Sequence, residues 1–330
     1  MPLCLTQQLD PVKGAGQYRT ASSKCHQSAI TFCVRCLAWQ YRYVRKCLTM
    51  RKFPEVSYIN PADPVWRRVL IRVVELMTGQ PKLQRLYDDY KRTRTEDDNF
   101  WESAINYLNV EINFDRAQLE ALPKDGPLVV VANHPFGVLD GIAVGYILSR
   151  VRPDIKILAH SVLGRAEPLR PYLIPVLFDG DNSALRANVE SKRVAMQHLE
   201  KGGAIIIFPA GRVSTAEKIF GEATDSPWKL FAGRLIANSK ATVVPIFFEG
   251  QNSWVFHFVS KFSTSIREAV LMREVLKQMG TEVVSHIGAP IDPASLTAIG
   301  DRQAILDYLR ATVYDLDPNA ISAPVMATTS

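Results

Sequence analysis

The sequence predicts an α/β domain in which a mainly parallel or mixed sheet is flanked by helices, with a helical segment before it. From residue 126 onward, short apolar runs alternate with longer stretches of helical periodicity, which is typical of strands joined by crossover helices. The runs Leu128–Ala132, 204–208 and Thr242–Phe248 contain almost no polar residue. We therefore expect these three strands to be buried on both faces, as the strands of a parallel sheet are.

The N-terminal helical segment is expected to begin at Asp63 and Pro64, which supply an acidic N-cap and a proline at the first helical position. Val65–Met77 follows, and further helices are expected over 83–90 and Phe100–Leu108. One face of Val65–Met77 is apolar, and the opposite face carries the charged residues Arg67, Arg68, Arg72 and Glu75. Such a helix either lies in a lipid interface or packs on the domain.

The elements after residue 126 are expected to alternate. The strand Leu128–Ala132 leads into a helix that reaches residue 149. The remaining elements are a strand at 155–159, an edge strand at 173–178, a helix at 182–200, a strand at 204–208, the strand Thr242–Phe248, a helix at 265–279, the strand Glu282–Ile287 and a helix at 301–313. Pro175 favours the sheet edge for 173–178, because proline donates no hydrogen bond to a neighbouring strand.

Composition divides the chain into four expected regions. The first 52 residues hold nine Lys or Arg, a single acid and all five cysteines. Residues 1–57 are interpreted as a basic, poorly ordered arm; a transit peptide, a metal site at Cys33 and Cys36, or a gene start placed upstream of Met50 are alternatives. A helical segment with a possible membrane contact is expected at 58–110, the α/β domain at 111–318 and a loose tail at 319–330. The predicted site contains no cysteine, so a reducing cytoplasm is the natural setting.

The net charge of +6 fits three classes of partner: nucleic acid, anionic lipid and acidic small molecules. The sequence contains no zinc-finger pattern, no RNA-recognition signature and no interleaving of basic and aromatic residues. Nucleic acid is therefore not an expected partner. No uninterrupted apolar run approaches the length needed to span a bilayer.

A polar stretch follows the first buried strand. Asn133, His134 and Pro135 stop the strand, Gly137 permits a tight turn, and Asp140 is expected to be the N-cap of the next helix. His134 would then lie beyond the end of the strand, with Asp140 across the turn. An imidazole paired with a carboxylate is oriented and made more basic, as general-base catalysis requires. The alternative is that the two side chains only cap and close the loop.

A second polar loop, 209–214, follows the strand expected at 204–208. In open α/β sheets, ligands bind beyond the carboxyl ends of the strands, so we expect the two loops to share one crevice. Gly211 would let backbone N–H groups approach an anion, and Arg212 supplies a cation for a phosphate or carboxylate. Ser214 adds a hydrogen-bond donor or caps the next element of the chain.

These motifs resemble those of the PlsC-like glycerolipid and lysophospholipid acyltransferases, and most closely their hemolysin-like bacterial branch. The segment 133–141 is similar to the first block, Asn-His-Pro-x-Gly-x-x-Asp-Gly, the segment 208–214 to the third block, and 243–248 to the fourth. A Gly-x-Asn-Ser at 250–253 and an Ile-Gly-x-Pro-Ile at 287–291 also match. Several blocks in the right order, over roughly residues 95–315, are far more specific than any single one.

The resemblance implies a glycerolipid acyltransferase-like fold and transfer of a fatty acyl group from acyl-CoA or an acyl carrier protein to the hydroxyl of a lyso-lipid. It implies that His134 is the general base and Asp140 its partner, with no acyl-enzyme, metal or cofactor. The residues implied to bind substrate are Asn133, Gly137, Pro209, Gly211, Arg212 and Ser214. The implied setting is a monotopic, peripheral attachment to an anionic membrane, on the cytoplasmic side of the inner (plasma) membrane.

Three departures from the family pattern leave the acceptor open. Five residues separate His134 from Asp140, where most of the wider family has four, although the hemolysin-like branch shares the longer gap. Ala210 replaces the glutamate of the third block, Arg212 lies one position early, and no second-block arginine is evident between 173 and 181. These departures argue against naming glycerol 3-phosphate or lysophosphatidate as the acceptor, and a lyso-lipid of the phospholipid or ornithine-lipid type stays open. Two other classes stay open: a lipid or thioester hydrolase with the same dyad, and a catalytically degenerate membrane-binding protein.

Overall fold

A mixed sheet of seven strands forms the centre of the part of the chain that the computed structural model describes: Glu55, Ser57, Ile59 and residues 63–95, 97–176, 182–218, 220–261 and 264–320. Its strands are β1 (Glu111–Asn113), β2 (Leu128–Ala132), β3 (Ile155–His160), β4 (Leu173–Val176), β5 (Ala204–Ile207), β8 (Thr242–Phe248) and β9 (Glu282–Ile287). Two further strands, β6 (Thr215–Ala216) and β7 (Ala223–Thr224), form a separate antiparallel hairpin.

The strands of the sheet lie in the order β1-β9-β8-β2-β5-β3-β4. Neighbouring strands are parallel, except for the antiparallel pair of β8 and β9. This arrangement confirms the predicted mainly parallel or mixed sheet. It also confirms the edge position of β4, where Pro175 removes no hydrogen bond that a further strand would need.

The described helices pack around this sheet. They are α1 (Val65–Met77), α2 (Gln80–Thr93), α3 (Phe100–Leu108), α4 (Arg116–Glu120), α5 (Val138–Ser149), α6 (Asn182–Glu200), α7 (Leu230–Ser239), α8 (Trp254–Ser260), α9 (Thr264–Gln278), α10 (Pro293–Ile299) and α11 (Arg302–Tyr314). The segments Ser161–Arg165 and Glu167–Tyr172 form 3₁₀ helices. The sequence did not predict β1, α4, α7, α8 or α10. Four of these are only three to seven residues long, too short to show a period.

The centre of the sheet is buried on both faces because successive side chains of a strand point to opposite sides. In β2, Leu128, Val130 and Ala132 belong to one apolar core, and Val129 and Val131 belong to the other. None of the five is exposed to solvent. This explains why the sequence of β2 is continuously apolar instead of alternating.

β2 and β5 are adjacent and parallel, with Val131 opposite Ile207. Their carboxyl ends therefore meet at one edge of the sheet, and the loops that follow them are neighbours in space. This is the crevice that the sequence predicted.

The charged side of α1 is partly buried, and several of its apolar side chains face solvent. Arg72 and Glu75, which the sequence placed on the charged face, are 1% and 0% exposed, whereas Trp66 and Met77 are 69% and 77% exposed. The buried charges are stabilised by pairing: Arg72 donates to Glu75 at 3.1 Å and to Gln80 at 2.8 Å. An unpaired buried arginine would be strongly destabilising, and pairing removes most of that cost. With the charged residues Arg72 and Glu75 buried, the side of α1 that faces solvent is apolar.

The expectations for residues 1–53 and for the last ten residues lie outside the described residues, including the basic arm and its cysteines. Within the described ranges, none of the helices combines the length and the apolar character that crossing a membrane requires.

Candidate active site

The loop between β2 and α5 begins with a residue that joins two strands. The side-chain amide of Asn133 donates to the Phe248 carbonyl oxygen at 2.9 Å and accepts from the Phe248 N–H at 2.8 Å. Asn133 is buried, so the end of β2 is held against the end of β8. Both groups of the amide are used within the protein, and a substrate contact by this side chain stays a prediction.

His134 and Asp140 come together as the sequence predicted. The Nδ1 atom of His134 lies 2.9 Å from Oδ2 of Asp140. The same oxygen accepts from the main-chain N–H groups of Phe136 and Gly137, at 2.9 and 2.8 Å. Asp140 is the third residue of α5 and not its N-cap, because the helix already begins at Val138. From this position the carboxylate reaches back over the first turn and holds both the loop and the imidazole.

Burial raises the pKa of the Asp140 carboxyl above its ordinary value, whereas the His134 imidazole and the N–H groups of Phe136 and Gly137 lower it. Asp140 is 0% exposed. A carboxylate in such a place interacts strongly with a positive charge on the adjacent ring, because little water screens the pair. Asp140 therefore orients the ring of His134 and would stabilise positive charge that develops on it during a reaction.

The backbone conformation of the turn before α5 favours glycine at position 137. Gly137 has a φ of +79°, and a Cβ there would lie 2.9 Å from the Leu271 side chain and 3.1 Å from that of Val213. The positive φ disfavours every residue with a side chain, and a Cβ would also require the Leu271 side chain to shift. Gly137 also lines a cavity beside the dyad, so its predicted contact with substrate is geometrically open.

The imidazole of His134 stacks on Phe208 from the end of β5, with ring centroids 4.0 Å apart and an interplanar angle of 20°. Its side chain is 17% exposed, and it lines the cavity. Since Nδ1 is held by Asp140, Nε2 is the nitrogen left for a substrate. Phe208 lies between β5 and the loop 209–214, so its contact with the His134 imidazole connects that loop to the dyad.

The loop 209–214 places its predicted residues in different surroundings. Gly211 and Arg212 line the cavity, and Arg212 is exposed. The N–H of Gly211 itself donates to the Phe208 carbonyl oxygen in a turn, at 3.0 Å, and the approach of the loop's N–H groups to an anion stays a prediction. Pro209 is buried and accepts from the N–H of Lys229 at 2.9 Å.

Ser214 is buried and engaged within the protein. Its hydroxyl donates to the Asp225 carboxylate at 2.5 Å, and its N–H donates to the His134 carbonyl at 2.8 Å. A direct contact between this hydroxyl and a substrate stays a prediction. The structure instead shows Ser214 joining the two loops.

The cavity beside the dyad is apolar and has a volume of about 350 Å³, within the ~300–1,000 Å³ range of small-molecule sites. Its wall is formed by α2, α3, α5, α9 and β3, through the apolar side chains Leu83, Phe100, Trp101, Ile142, Ile157 and Met272. Trp101 fits against α5 only because Gly145 has no side chain, since a Cβ there would lie 2.2 Å from the indole ring. The cavity suits a hydrocarbon chain with one reactive end at His134.

The sequence did not predict the residues that contact this site from distant parts of the chain. Asp225 lies 91 residues from His134, and Phe248 lies 115 residues from Asn133. Lys229, Arg267 and Glu268 also line the cavity. No spacing in a single sequence relates such distant positions, so no local signal was available to find them.

Comparison with known proteins identifies relatives. An acyltransferase family model matches residues 99–323. The chain is similar to a lyso-glycine lipid O-acyltransferase of Phocaeicola vulgatus, at 29% identity over 232 residues, covering 68% of this chain and 79% of that protein. A lyso-glycine lipid O-acyltransferase of Bacteroides thetaiotaomicron is 25% identical over 225 residues, covering 66% and 79%.

Among solved structures, the 1-acyl-sn-glycerophosphate acyltransferase PlsC of Thermotoga maritima matches with a TM-score of 0.46 and 18% identity. The match covers 76% of this chain and 98% of that one.

Proposed function

This chain belongs to the acyltransferase family, and we propose that it is a lyso-lipid O-acyltransferase that works at a membrane surface with His134 as its general base. One observation carries the proposal. An imidazole oriented by a fully buried carboxylate opens on an apolar cavity large enough for part of a fatty acyl chain.

In the proposed reaction, Nε2 of His134 takes the proton of the acceptor hydroxyl while the hydroxyl oxygen attacks the carbonyl carbon of an acyl thioester. The ester C–O bond forms, the C–S bond breaks, and the imidazolium gives its proton to the leaving thiolate. Asp140 holds the ring through Nδ1 and stabilises the imidazolium in between. No step requires a covalent acyl-enzyme, a metal or a cofactor.

We propose acyl-CoA or an acyl carrier protein as the donor, with its chain in the apolar cavity. The support is the lining, in which aromatic and aliphatic side chains dominate. A hydrocarbon chain gains about 25 cal/mol for each Å² removed from water. The cavity therefore retains the acyl group while the thioester carbon meets the hydroxyl beside His134.

We propose that the acceptor is a lyso-lipid with an anionic head, which Arg212 contacts. Arg212 is exposed and lines the cavity, so it lies where the cavity meets solvent. Two relatives are lyso-glycine lipid O-acyltransferases, which favours an amino-acid lipid over a phospholipid. An arginine fork binds either a carboxylate or a phosphate, so the acceptor panel has to include glycine-lipid, ornithine-lipid and phospholipid forms.

We also propose peripheral, monotopic attachment to the cytoplasmic side of the inner (plasma) membrane, where both donors are available. The support is α1, whose outer face is an apolar stripe formed by Val65, Trp66, Leu70, Val73 and Met77. An exposed stripe of this kind marks an interaction surface, and Trp with aliphatic neighbours suits a lipid interface.

Vesicle co-sedimentation tests this attachment. Trp66→Ser with Met77→Ser should weaken binding to anionic vesicles about tenfold, because apolar insertion is lost. Val189→Ser is the matched control, since Val189 is 70% exposed on a different helix. Equal binding by the double variant and the wild type would show that α1 is not the membrane contact.

The activity test supplies the purified protein with acyl-CoA or an acylated carrier protein and with each lyso-lipid in turn, followed by mass spectrometry of the lipids. The proposal predicts a diacylated product from at least one amino-acid or phospholipid acceptor. Release of free fatty acid without an acceptor would identify a hydrolase. Absence of any product with every donor and acceptor would favour a degenerate, membrane-binding protein.

A further inference from the structure

The carboxylate of Asp225 lies behind His134 and accepts hydrogen bonds from three donors. Oδ1 accepts from the main-chain N–H of His134 at 3.2 Å and from the Ser214 hydroxyl at 2.5 Å. Oδ2 accepts from the indole N–H of Trp228 at 3.0 Å. Asp225 is only 4% exposed. A buried carboxylate that uses both oxygens in this way ties separate segments of the chain together.

The main chain of Asp225 is fixed by the C-terminal helix α11. Its N–H donates to the Tyr314 hydroxyl at 2.8 Å, and its carbonyl accepts from Nη2 of Arg310 at 3.2 Å. The Arg310 guanidinium also lies over the Tyr314 ring, 4.9 Å from its centroid. The position of Asp225 is therefore set by α11 and not by its own loop alone.

His134 is consequently held through its main chain on both sides. Its N–H donates to Asp225, and its carbonyl accepts from the N–H of Ser214. Asp140 holds the ring and Asp225 holds the backbone that carries it. Ser214 contacts both His134 and Asp225, so it links the loop 209–214 to the loop that carries His134.

We propose that Asp225 is a positioning residue for acyl transfer, holding the His134 main chain and the loop 209–214 in fixed register. The inference rests on the proposed function. Asp225 does not carry the proton, because its oxygens accept from the His134 main chain, Ser214 and Trp228. A displacement of about 1 Å at the reacting groups can lower a rate about 10²-fold, which is the effect that this carboxylate prevents.

Asp225→Asn tests the proposal by kinetics. Asparagine keeps the size but replaces one oxygen with an NH₂ group, so at least one of the three donors then faces another donor. We expect kcat to fall about 10- to 100-fold, with the donor KM changed by less than about threefold, because the apolar cavity proposed for the acyl chain is untouched. Trp228→Phe and Tyr314→Phe, which each remove one contact, should lower kcat less.

Asp154→Asn is the matched control. Asp154 pairs with the buried Arg152 just before β3, at the amino end of the strand and away from the site. This variant should lower stability without changing kcat. A fall in kcat as large as that of Asp225→Asn would show a general effect of destabilisation and overturn the inference.

Histidine-labelled NMR supplies a readout that does not depend on activity. The His134 ring signals are assigned by their absence in His134→Ala, and they should move or broaden in Asp225→Asn. Signals of His198, whose Nε2 lies 2.7 Å from the Asp154 carbonyl oxygen, should move only in Asp154→Asn.

Unchanged His134 signals in Asp225→Asn, or a kcat within about threefold of wild type, would overturn the inference. If Asp225→Asn does not fold, Trp228→Phe and Tyr314→Phe decide the matter by the same two readouts. If the wild type transfers no acyl group, the proposed function fails, while the His134 signals still report whether Asp225 positions the ring.

Discussion

The two loops that form the site follow neighbouring strands of one sheet, yet they are built in different ways. After β2, the functional pair His134 and Asp140 lies within seven consecutive residues, and its hydrogen bonds are mostly local. After β5, the loop 209–214 is held from a distance: Ser214 by Asp225, and Asp225 by Tyr314. The first loop therefore carries its chemistry in its own sequence, while the second depends on the rest of the fold.

Because the two loops are built differently, substitutions in them should have different effects on activity and stability. Changes in the first loop should remove the chemical step, whereas changes in the second should alter the acceptor, the alignment or the stability. Four substitutions, taken from the largest expected effect to the smallest, test whether the two loops divide the work in this way.

His134→Ala should give the largest loss. Removing a general base lowers a rate by about two to four orders of magnitude, and the fold should persist because the side chain lies at a strand end beside a cavity. Acyl transfer measured by mass spectrometry, with thermal unfolding alongside, checks both parts. His286→Ala is a matched control, since His286 pairs with Glu249 on the surface. Near-normal turnover in His134→Ala would remove this residue from the mechanism.

Asp140→Asn should lower the rate by about one to three orders of magnitude, because the imidazolium loses its charged partner while the base remains. The free energy of unfolding of this variant should also differ from that of the wild type in its dependence on pH. Burial raises the pKa of Asp140 in the folded state above its usual value of 3.8, so the folded state binds more protons between the two pKa values. The free energy of unfolding of the wild type therefore falls as pH rises through that window.

Asp140→Asn lacks this titration. Its free energy of unfolding relative to wild type should therefore increase with pH across the same window, as measured by urea unfolding at several pH values. A difference that stays constant or decreases with pH would mean that burial does not dominate at this carboxyl.

Arg212→Ala should act on the acceptor. Loss of a charged hydrogen bond of ~1.5–3 kcal/mol corresponds to a rise of about 10- to 100-fold in the acceptor KM, with the donor KM little changed. Arg212→Lys should restore only part of this, because lysine lacks the planar fork. Arg193→Ala serves as control, since Arg193 is a surface residue paired with Glu190. Equal increases in both KM values would instead indicate that Arg212 holds the loop.

Ser214→Ala should have the smallest effect. The hydroxyl is buried on Asp225, so its removal should lower the free energy of unfolding by ~1 kcal/mol and kcat slightly, while the acceptor KM stays the same. Steady-state kinetics with both substrates varied checks this. A large increase in the acceptor KM would return Ser214 to the substrate-binding role that the sequence suggested.

The same contrast explains how much of the molecule could be predicted. β2 and the dyad follow from a continuous apolar run, a proline, a glycine and an acid at a short spacing, all of which act locally. The mainly parallel sheet follows from the alternation of strands and helices. Asp225 and the Asn133–Phe248 pairing could not be predicted, because hydrogen bonds between residues 91 and 115 positions apart leave no periodic trace.

The helix α1 shows a second limit. Its amphipathic pattern correctly predicted a helix over Val65–Met77 but not which face is buried. Hydrophobic burial alone favours the apolar face inward. In the structure the buried Arg72 donates to Glu75 and Gln80, and Ser57, which lies outside the helix, donates to Glu75 at 2.9 Å. The sequence of the helix alone does not show these partners.

Direct transfer by the His134 and Asp140 dyad is tested most directly by a single-turnover experiment with a labelled acyl thioester. Direct transfer predicts that the protein mass stays unchanged when the thioester is added alone, and that thiol appears only after the lyso-lipid is added, with one ester formed for each thiol released. A stable increase in protein mass by one acyl group, or release of thiol with free fatty acid before any acceptor is present, would contradict it.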